Sequence, residues 1–397
     1  MRDSNASAGR ASTRGPEGWV PVGGGVCLLV GAWLLGACIV LSGCSPFGEL
    51  LPNGISENPA ALVPSSPTDA FAPADDLVAA RSPLYVESDH EAGFLIGRLS
   101  GGGDYDLYEL GPSLSGDRWS VTNRSLLTGG QFVLAVFDEN LDLLARSASD
   151  LIPALTVVLR HDCATVYIGV ATKLGGLGGS YNFHVSRTIG DEVPAPQPQG
   201  VWLNFTGVSN LSINKYDGLS FGPFSGSMVG EQFADATDEI KQLIVDTLLD
   251  NCADYNVTIL TSDTTTQPPE PYTTIYFGGR GDAQLGVADG VDGYNADPRQ
   301  NAVVFVEALS EYENMALTVP RLGTMIGNIA SHELGHLLGL HHVRDGDNVM
   351  NRADGSTVWD MVAPQHFARA DLDPHVFPVG QLNAPRLLEE TVGLRSE

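Results

Sequence analysis

Lysine is almost absent from this sequence. Three lysines occur, Lys173, Lys215 and Lys241, and all basic residues together number 21 against 48 acidic ones, for a formal net charge of -27. Nucleic acids and anionic membrane surfaces attract proteins that present many Lys and Arg side chains. The charge balance therefore argues against both as electrostatic partners, and it suits a solvated exterior.

Cysteine is also scarce, with five in 397 residues. Cys27, Cys38 and Cys44 lie in or directly after an N-terminal apolar run, which leaves Cys163 and Cys252 for the body of the chain. Two such residues often pair in an exported protein, but these two belong to different predicted domains. The sequence leaves a disulfide and two free thiols both open.

The N-terminal segment indicates export. A polar stretch with three arginines precedes an apolar run from Val20 to Leu41, an order typical of a signal sequence. The run ends in Leu41-Ser42-Gly43-Cys44, which resembles the lipobox of bacterial lipoproteins. The resemblance implies that residues 1–43 are a signal peptide and that Cys44 carries lipid, which would anchor the exported protein to a bacterial membrane, at the outer membrane or the cell surface. A plain transmembrane anchor is the alternative, because the run is long enough to span a bilayer.

Three further segments precede the C-terminal half. Residues 44–83 are rich in Pro and Ser and predict a flexible tether. Residues 84–190 contain seven short apolar segments separated by turn residues, which predict an all-β sandwich. Residues 191–200 carry three alternating prolines and predict a stiff linker. The seven predicted strands are Gly93–Leu99, Asp106–Leu110, Arg118–Val121, Phe132–Phe137, Leu155–Leu159, Thr165–Val170 and Tyr181–Val185.

The C-terminal half, residues 201–397, predicts alternating strands and helices. A helix is expected over Phe233–Cys252, with an apolar inner face, and a second helix from about Gly323 to Leu338. A closing helix and loop are expected after Ala363. The predicted strands are Val201–Thr206, Val257–Thr261, Thr273–Gly278, Leu285–Ala288 and Ala302–Glu307.

The second of these helices carries the chemistry. Residues four apart on a helix share a face, so His332 and His336 can offer two imidazole nitrogens to one metal ion. Glu333 flanks that ion, and its carboxylate can take a proton from a water whose pKa the metal lowers. Gly339 can adopt the positive φ that ends a helix, which lets His342 return to the same ion. Three imidazoles leave a fourth position open for water and substrate.

This run resembles the His-Glu-x-x-His-x-x-Gly-x-x-His signature of the metzincin metalloproteases, closest to their matrixin-like branch. The resemblance implies one catalytic Zn²⁺ held by His332, His336 and His342, with Glu333 as the general base. It also implies a Met-turn at Met350, which forms a hydrophobic floor beneath the metal. His341 is an alternative third ligand, although the family spacing selects His342.

The same resemblance implies an α+β catalytic domain, in which a twisted mixed sheet precedes the ligand helix. An edge strand over Leu285–Ala288 would pair with an extended substrate through main-chain hydrogen bonds. The alternative is that Leu285–Ala288 forms an ordinary edge strand that does not bind substrate.

The sandwich segments resemble the pre-peptidase C-terminal domain that accompanies secreted proteases. The likeness rests on Asp104-Tyr105-Asp106-Leu107-Tyr108 and on residues 132–138 and 179–185. Unlike the commonest arrangement, this segment precedes the protease. Because it contains no catalytic cluster, accessory or substrate-binding work and a passive spacer both stay open.

Calcium is a second candidate metal. Asp289, Asp292, Asn295 and Asp297 lie close together in the sequence, and residues 345–348 form a similar acidic group. Neither group has the spacing of an EF-hand loop, so a solvated acidic loop is the alternative.

Together these observations predict a lipid-anchored, extracytoplasmic zinc endopeptidase that acts on a protein or peptide substrate. One alternative is a surface binding lipoprotein whose metalloprotease domain is inactive. Another retains the enzyme but replaces His342 by a downstream acidic ligand. The sequence sets neither the cleavage specificity nor the oligomeric state.

Overall fold

The structure is a computed structural model of the chain. It describes residues 90–396, except residues 125–129, 149–152, 283, 313–314, 316 and 353–356, together with three short strand segments nearer the N-terminus. The predicted signal peptide and its lipidation site, Cys44, lie outside the described residues. Within the described part of the chain, no helix combines the length and the apolar character needed to cross a membrane. Residues 53–397 form one compact unit.

The described residues are 22% helix and 37% strand, which confirms the predicted α+β class. The first half contains the strands β1 Ala61–Leu62, β2 Leu77–Val78, β3 Tyr85–Glu87, β4 His90–Gly101, β5 Tyr105–Glu109, β6 Arg118–Asn123, β7 Phe132–Phe137, β8 Leu143–Arg146, β9 Leu155–Val158, β10 Tyr167–Thr172 and β11 Leu177–Thr188. The second half contains β12 Gln199–Asn204, β13 Val208–Ile213, β14 Tyr216–Phe221, α1 Thr237–Asn251, β15 Val257–Thr261, β16 Tyr272–Phe277, β17 Gly286–Ala288, β18 Asn301–Val304, α2 Val319–Leu337, α3 Val358–Met361, β19 Arg369–Asp371, β20 Gln381–Asn383 and α4 Ala384–Val392.

Two sheets form the first half. Their orders are β1-β4-β11-β6-β9, with β3 also paired to β4, and β2-β5-β10-β7-β8. Between them lies a core of large side chains that includes Tyr108, Trp119, Phe132 and Phe183. Each of the seven segments predicted as strands overlaps an observed strand. The strand β8 was missed, because its four residues show no alternation between apolar and polar side chains.

Two dipeptides of the predicted tether are also strands. β1 pairs with β4 and β2 pairs with β5, both in parallel orientation. Each dipeptide is apolar and contains no proline, unlike the surrounding segment, which is rich in Pro and Ser. Because proline has no N–H to donate, main-chain pairing with the sandwich is possible where proline is absent.

The second half is built on a five-stranded sheet of order β15-β12-β16-β18-β17. The first four strands are parallel, and β17 is antiparallel to β18 at the edge. The helix α1 lies against α2, with Ile240, Ile244 and Leu248 buried along its inner face. The strands β13 and β14 form an antiparallel hairpin that the sequence analysis missed.

The two halves share one core, which the sequence analysis did not anticipate. All six residues of β7 are buried, because its alternate side chains face opposite ways. Phe132, Leu134 and Val136 belong to the sandwich core, whereas Val133, Ala135 and Phe137 join the core of the second half. Phe137 meets the ring of Phe377 there, at 5.2 Å between centroids.

Buried charge reinforces this junction. The Asp142 carboxylate accepts hydrogen bonds from Arg369 Nε at 2.7 Å, Asn383 Nδ2 at 2.9 Å and Arg386 Nη2 at 3.1 Å. The backbone N–H of Gln381 donates to the carbonyl oxygen of Leu141. The predicted linker is also held in place, because Gln197 N donates to Thr391 O. The sandwich and the linker thus contact residues between Arg369 and Thr391, near the C-terminus.

Candidate metal centre

The helix α2 is positioned by close packing on α1. Gly323 and Gly327 lie one turn apart, and a Cβ at Gly327 would be 2.5 Å from the Cβ of Thr247. Two glycines at this spacing let the helix backbones approach each other. Asn328 extends the contact, because its Nδ2 donates to the carbonyl oxygens of Met361 and Ala363 at 2.9 and 2.8 Å. These contacts fix the axial rotation of α2 and so the face that its histidines occupy.

The chain reverses after α2 at Gly339, as predicted. Gly339 has φ +94°, a conformation that an L side chain rarely adopts. A Cβ there would also lie 2.9 Å from Tyr294 N and 3.0 Å from Asp292 O. The N–H of Leu340 closes the turn by donating to Gly335 O at 2.8 Å. The turn brings the next residues back over the end of the helix.

Three imidazoles converge at this turn. His342 Nε2 lies 3.1 Å from His336 Nε2 and 3.1 Å from His332 Nε2. In the described part of the chain, this is the group of three His, Cys, Asp or Glu side chains close enough to hold one metal ion. His341 is not a member of it. We call His332, His336 and His342 the His triad.

Backbone carbonyls fix two of the rings. His332 Nδ1 lies 2.7 Å from Val349 O, and His336 Nδ1 lies 2.9 Å from Leu340 O, so each Nδ1–H donates to a carbonyl. The Nε2 lone pairs must then point into the triad. Burial lowers the pKa of all three histidines, to about 2 for His342, which favours the neutral imidazoles that bind metals.

The His triad fits a tetrahedral metal ion. Ligand nitrogens about 2.0 Å from a zinc ion are about 3.3 Å from one another in tetrahedral geometry, close to the separations seen here. Three imidazole nitrogens without a carboxylate suit zinc, copper, iron or nickel rather than calcium or magnesium. Lone pairs facing each other at this distance repel unless a cation lies among them.

Glu333 lies beside the triad in a confined place. It is buried, and burial raises the pKa of its carboxyl group to about 8. Its neighbour is Gly286 of β17, where a Cβ would be 2.8 Å from Glu333 Cγ and 2.9 Å from Glu333 Cδ. The sequence analysis missed this role of Gly286, because the two residues meet only after the sheet has formed.

Met350 lies directly under the helix. It is fully buried, and a Cβ on Gly335 would overlap its sulfur. Asn348 shapes this turn, because its Oδ1 accepts Met350 N at 2.9 Å while its Nδ2 donates to Ala368 O at 2.9 Å. The turn thereby also presents Val349 O to His332.

A cavity of about 460 Å³ opens onto the triad. We call it the triad cavity. His332, Glu333, His336 and His342 line one side and β17 lines the other, with Arg352 among the remaining lining residues. The predicted metal-binding and general-base residues thus share one accessible space with the predicted substrate strand.

Comparisons with known proteins add no family. No protein-family model matches the chain, and no curated protein sequence matches it. The chain resembles the periplasmic g-type lysozyme inhibitor PliG of Aeromonas hydrophila, with 15% identity and a TM-score of 0.23 over 32% of this chain and all of that one. The pre-peptidase C-terminal domain of a Bacillus anthracis collagenase is 16% identical over 24% of this chain and 87% of that domain, with a TM-score of 0.19. A family two carbohydrate esterase from Cellvibrio japonicus is 11% identical over 55% and 52% of the two chains, with a TM-score of 0.15.

Several of the acidic residues considered for calcium accept hydrogen bonds from backbone N–H groups. Asp289 accepts from Asn301 N at 2.6 Å, and Asp292 accepts from Asp297 N at 2.8 Å. Asp345 likewise accepts from the N–H of Asp347. These bonds give the carboxylates a role in shaping loops, and calcium binding stays a prediction.

Both remaining cysteines are free and buried. Cys163 belongs to the sandwich core and Cys252 to the core of the second half. Burial raises the pKa of each thiol to about 12, so neither is a reactive thiolate at neutral pH.

Proposed function

We propose that this protein is a zinc-dependent endopeptidase that hydrolyses peptide bonds with an activated water. The observation that carries the proposal is the convergence of three Nε2 atoms at 3.1 Å beside a buried carboxylate, in a cavity bounded by a strand edge. The metzincin-like sequence pattern supports it as well, since the residues of the pattern are the ones that converge.

His332, His336 and His342 would hold the metal. A zinc ion bound there would supply Lewis-acid polarisation of the scissile carbonyl and a lower pKa for the attacking water. Glu333 accepts the proton of that water and passes it to the leaving amine. Burial raises the pKa of the Glu333 carboxyl group, and a metal cation held by the neighbouring histidines would lower that pKa and favour the carboxylate that accepts a proton.

The substrate backbone would lie along β17. This strand is the edge of its sheet and lines the triad cavity. Unpaired strand edges bind extended peptides through main-chain hydrogen bonds. The Ala288 carbonyl already accepts Asn214 Nδ2 at 3.3 Å, so the pairing would use the part of the strand nearer Glu333.

We further propose a metzincin-type catalytic domain on an exported, lipid-anchored chain. The parallel strands before α2, the antiparallel edge strand, the turn at Gly339 and the buried Met350 support the first part. The lipobox-like residues ending at Cys44 support the second. An inactive metalloprotease domain would be expected to have lost Glu333 or one of the three histidines. All four residues are present, which argues against the alternative of an inactive binding lipoprotein.

Zinc content and casein cleavage test the proposal, with adjacent histidines as a matched pair. We expect His342→Ala to lose zinc and activity, because it removes one of three ligands. His341→Ala is expected to keep its zinc, because that imidazole lies outside the triad. Full zinc occupancy in His342→Ala would favour an acidic third ligand.

Glu333→Ala separates catalysis from metal binding. We expect it to keep zinc and to lose at least about 100-fold in kcat, the lower end of the range for general acid–base catalysis. Casein cleavage that survives this substitution would contradict the proposed mechanism. Zinc-loaded wild-type protein that cleaves no protein substrate would favour the binding lipoprotein.

A further inference from the structure

A second cavity, of about 900 Å³, lies where the sandwich meets the second half of the chain. We call it the junction cavity. Gly290, Val291, His341 and His342 line both this cavity and the triad cavity. The two spaces therefore adjoin at the His triad, and a chain that crosses the triad can continue into the junction cavity.

Strand edges form the sandwich side of the junction cavity. β8 and β9 are the terminal strands of their two sheets. All four residues of each strand line the cavity. Because successive side chains of a strand point to opposite faces, a cavity that touches every residue lies along the edge of the strand. Such edges carry main-chain groups that an extended polypeptide can pair with.

The charge of the junction cavity differs from that of the whole protein. Arg146 and Arg160 line it, and its described lining contains no Asp or Glu, in a chain of net charge -27. Arg160 is held at the cavity wall, with its guanidinium 4.2 Å from the Tyr294 ring centroid and its Nη1 donating to Pro194 O at 2.7 Å. The remaining lining is mostly apolar, with Leu, Val and Ala side chains. This chemistry suits an apolar segment that carries acidic side chains.

We propose that the junction cavity binds an extended segment of the polypeptide substrate, on one side of the bond that is cleaved at the triad. The segment pairs with the edge of β8 or β9, and acidic residues within it face Arg146 and Arg160. This inference rests on the proposed function and deepens it, because it makes the sandwich part of the substrate site. It follows that long unfolded chains are better substrates than short peptides.

Two synthetic peptides test the length dependence. The first bond cleaved in casein is identified by mass spectrometry. One peptide then carries two residues on each side of that bond, and the other extends six residues further in both directions, about 20 Å of extended chain. We expect kcat/KM at least tenfold higher for the long peptide in the zinc-loaded wild-type protein.

Gly293→Phe tests the location. Gly293 lines the junction cavity, and a Cβ there meets no heavy atom within 4 Å, so a phenyl ring can enter the cavity without displacing the backbone. Gly222→Phe is the matched control, because Gly222 is equally open and lines neither cavity. We expect the ratio of kcat/KM between long and short peptide to fall towards one in Gly293→Phe and to stay at the wild-type value in Gly222→Phe. Zinc content should be equal in all three proteins.

The outcomes separate the two proposals. The proposal for the junction cavity is wrong if the ratio of kcat/KM between long and short peptide is the same in wild type and Gly293→Phe. It is also wrong if the wild type does not prefer the long peptide. Neither result contradicts the proposed endopeptidase activity. Absence of casein cleavage by the zinc-loaded wild-type protein overturns the endopeptidase, and fluorescence anisotropy of a labelled extended casein segment then decides whether Gly293→Phe removes binding. Two Glu residues in the extension should raise kcat/KM relative to two Lys residues, and the reverse order would overturn the charge preference.

Discussion

At the scale of single residues, the contact between Gly286 and Glu333 restricts the carboxylate that we propose as the general base. Gly286→Ala would place a methyl group against the Glu333 side chain. The flexible carboxylate can rotate away, so the fold should tolerate the change while the base leaves its position beside the triad. A displacement of about 1 Å costs on the order of 100-fold in rate. We expect kcat to fall by about 10-fold to 100-fold with unchanged zinc content.

Gly222→Ala is the control for this substitution, because its Cβ would meet open space. Steady-state kinetics on one peptide, together with zinc analysis and thermal unfolding, distinguish the outcomes. An unchanged kcat in Gly286→Ala would show that the carboxylate has room to stay in place. A loss of zinc would show instead that β17 supports the metal ligands.

At the scale of the elements, the packing of α1 on α2 holds the ligand helix in register. Even a Cβ on Gly327 would overlap the side chain of Thr247. Gly327→Val would add two methyl groups at the same place. Overpacking of this kind typically costs about 1–3 kcal/mol. We expect a loss of that size in the free energy of unfolding, measured in urea, and weaker zinc binding because the helix shifts. Gly222→Val should change neither, and a Gly327→Val protein as stable as the wild type would contradict the close packing.

The sequence could predict the elements that depend on local patterns. The spacing of His332 and His336 and the turn at Gly339 follow from helix geometry and from the freedom of glycine, so the structure brings the expected three histidines together. Runs of apolar residues predicted the main strands of the second half, whereas a twisted mixed sheet was expected only from the metzincin resemblance. The hairpin of β13 and β14 was missed although Leu211, Ile213, Leu219 and Phe221 alternate with exposed serines and pack on one apolar cluster.

The contacts that the sequence could not predict join distant residues. Asp142 and Arg369 are 227 positions apart, and nothing near either residue marks the other as its partner. The uninterrupted apolar run of β7 indicates that both faces of the strand are buried. The run does not show which part of the chain covers the second face. Tertiary packing of this kind decides whether the sandwich is a spacer or part of the catalytic body.

At the scale of the whole molecule, the sandwich supports the third histidine. Asp142 binds Arg369 and Arg386, which lie at the two ends of the segment 369–386. Within that segment Asp373 N donates to His342 O at 3.0 Å, and Leu372 forms a bridge with Val343. The route from a sandwich carboxylate to the backbone of His342, a proposed metal ligand, is therefore short and continuous.

Asp142→Ala tests this route. The substitution leaves Arg369 and Arg386 without one carboxylate partner at a partly buried junction, which should cost about 2 kcal/mol after allowance for the exposure of Arg369. Zinc affinity, measured by chelator competition, should fall by up to about tenfold, as for changes around metal ligands. Glu192→Ala removes an exposed carboxylate of the linker and should alter neither quantity. Calorimetry should give one cooperative transition for the wild type, since the two halves share a core. Two separate transitions, with zinc affinity unchanged in Asp142→Ala, would mean that the sandwich folds and acts apart from the metal centre.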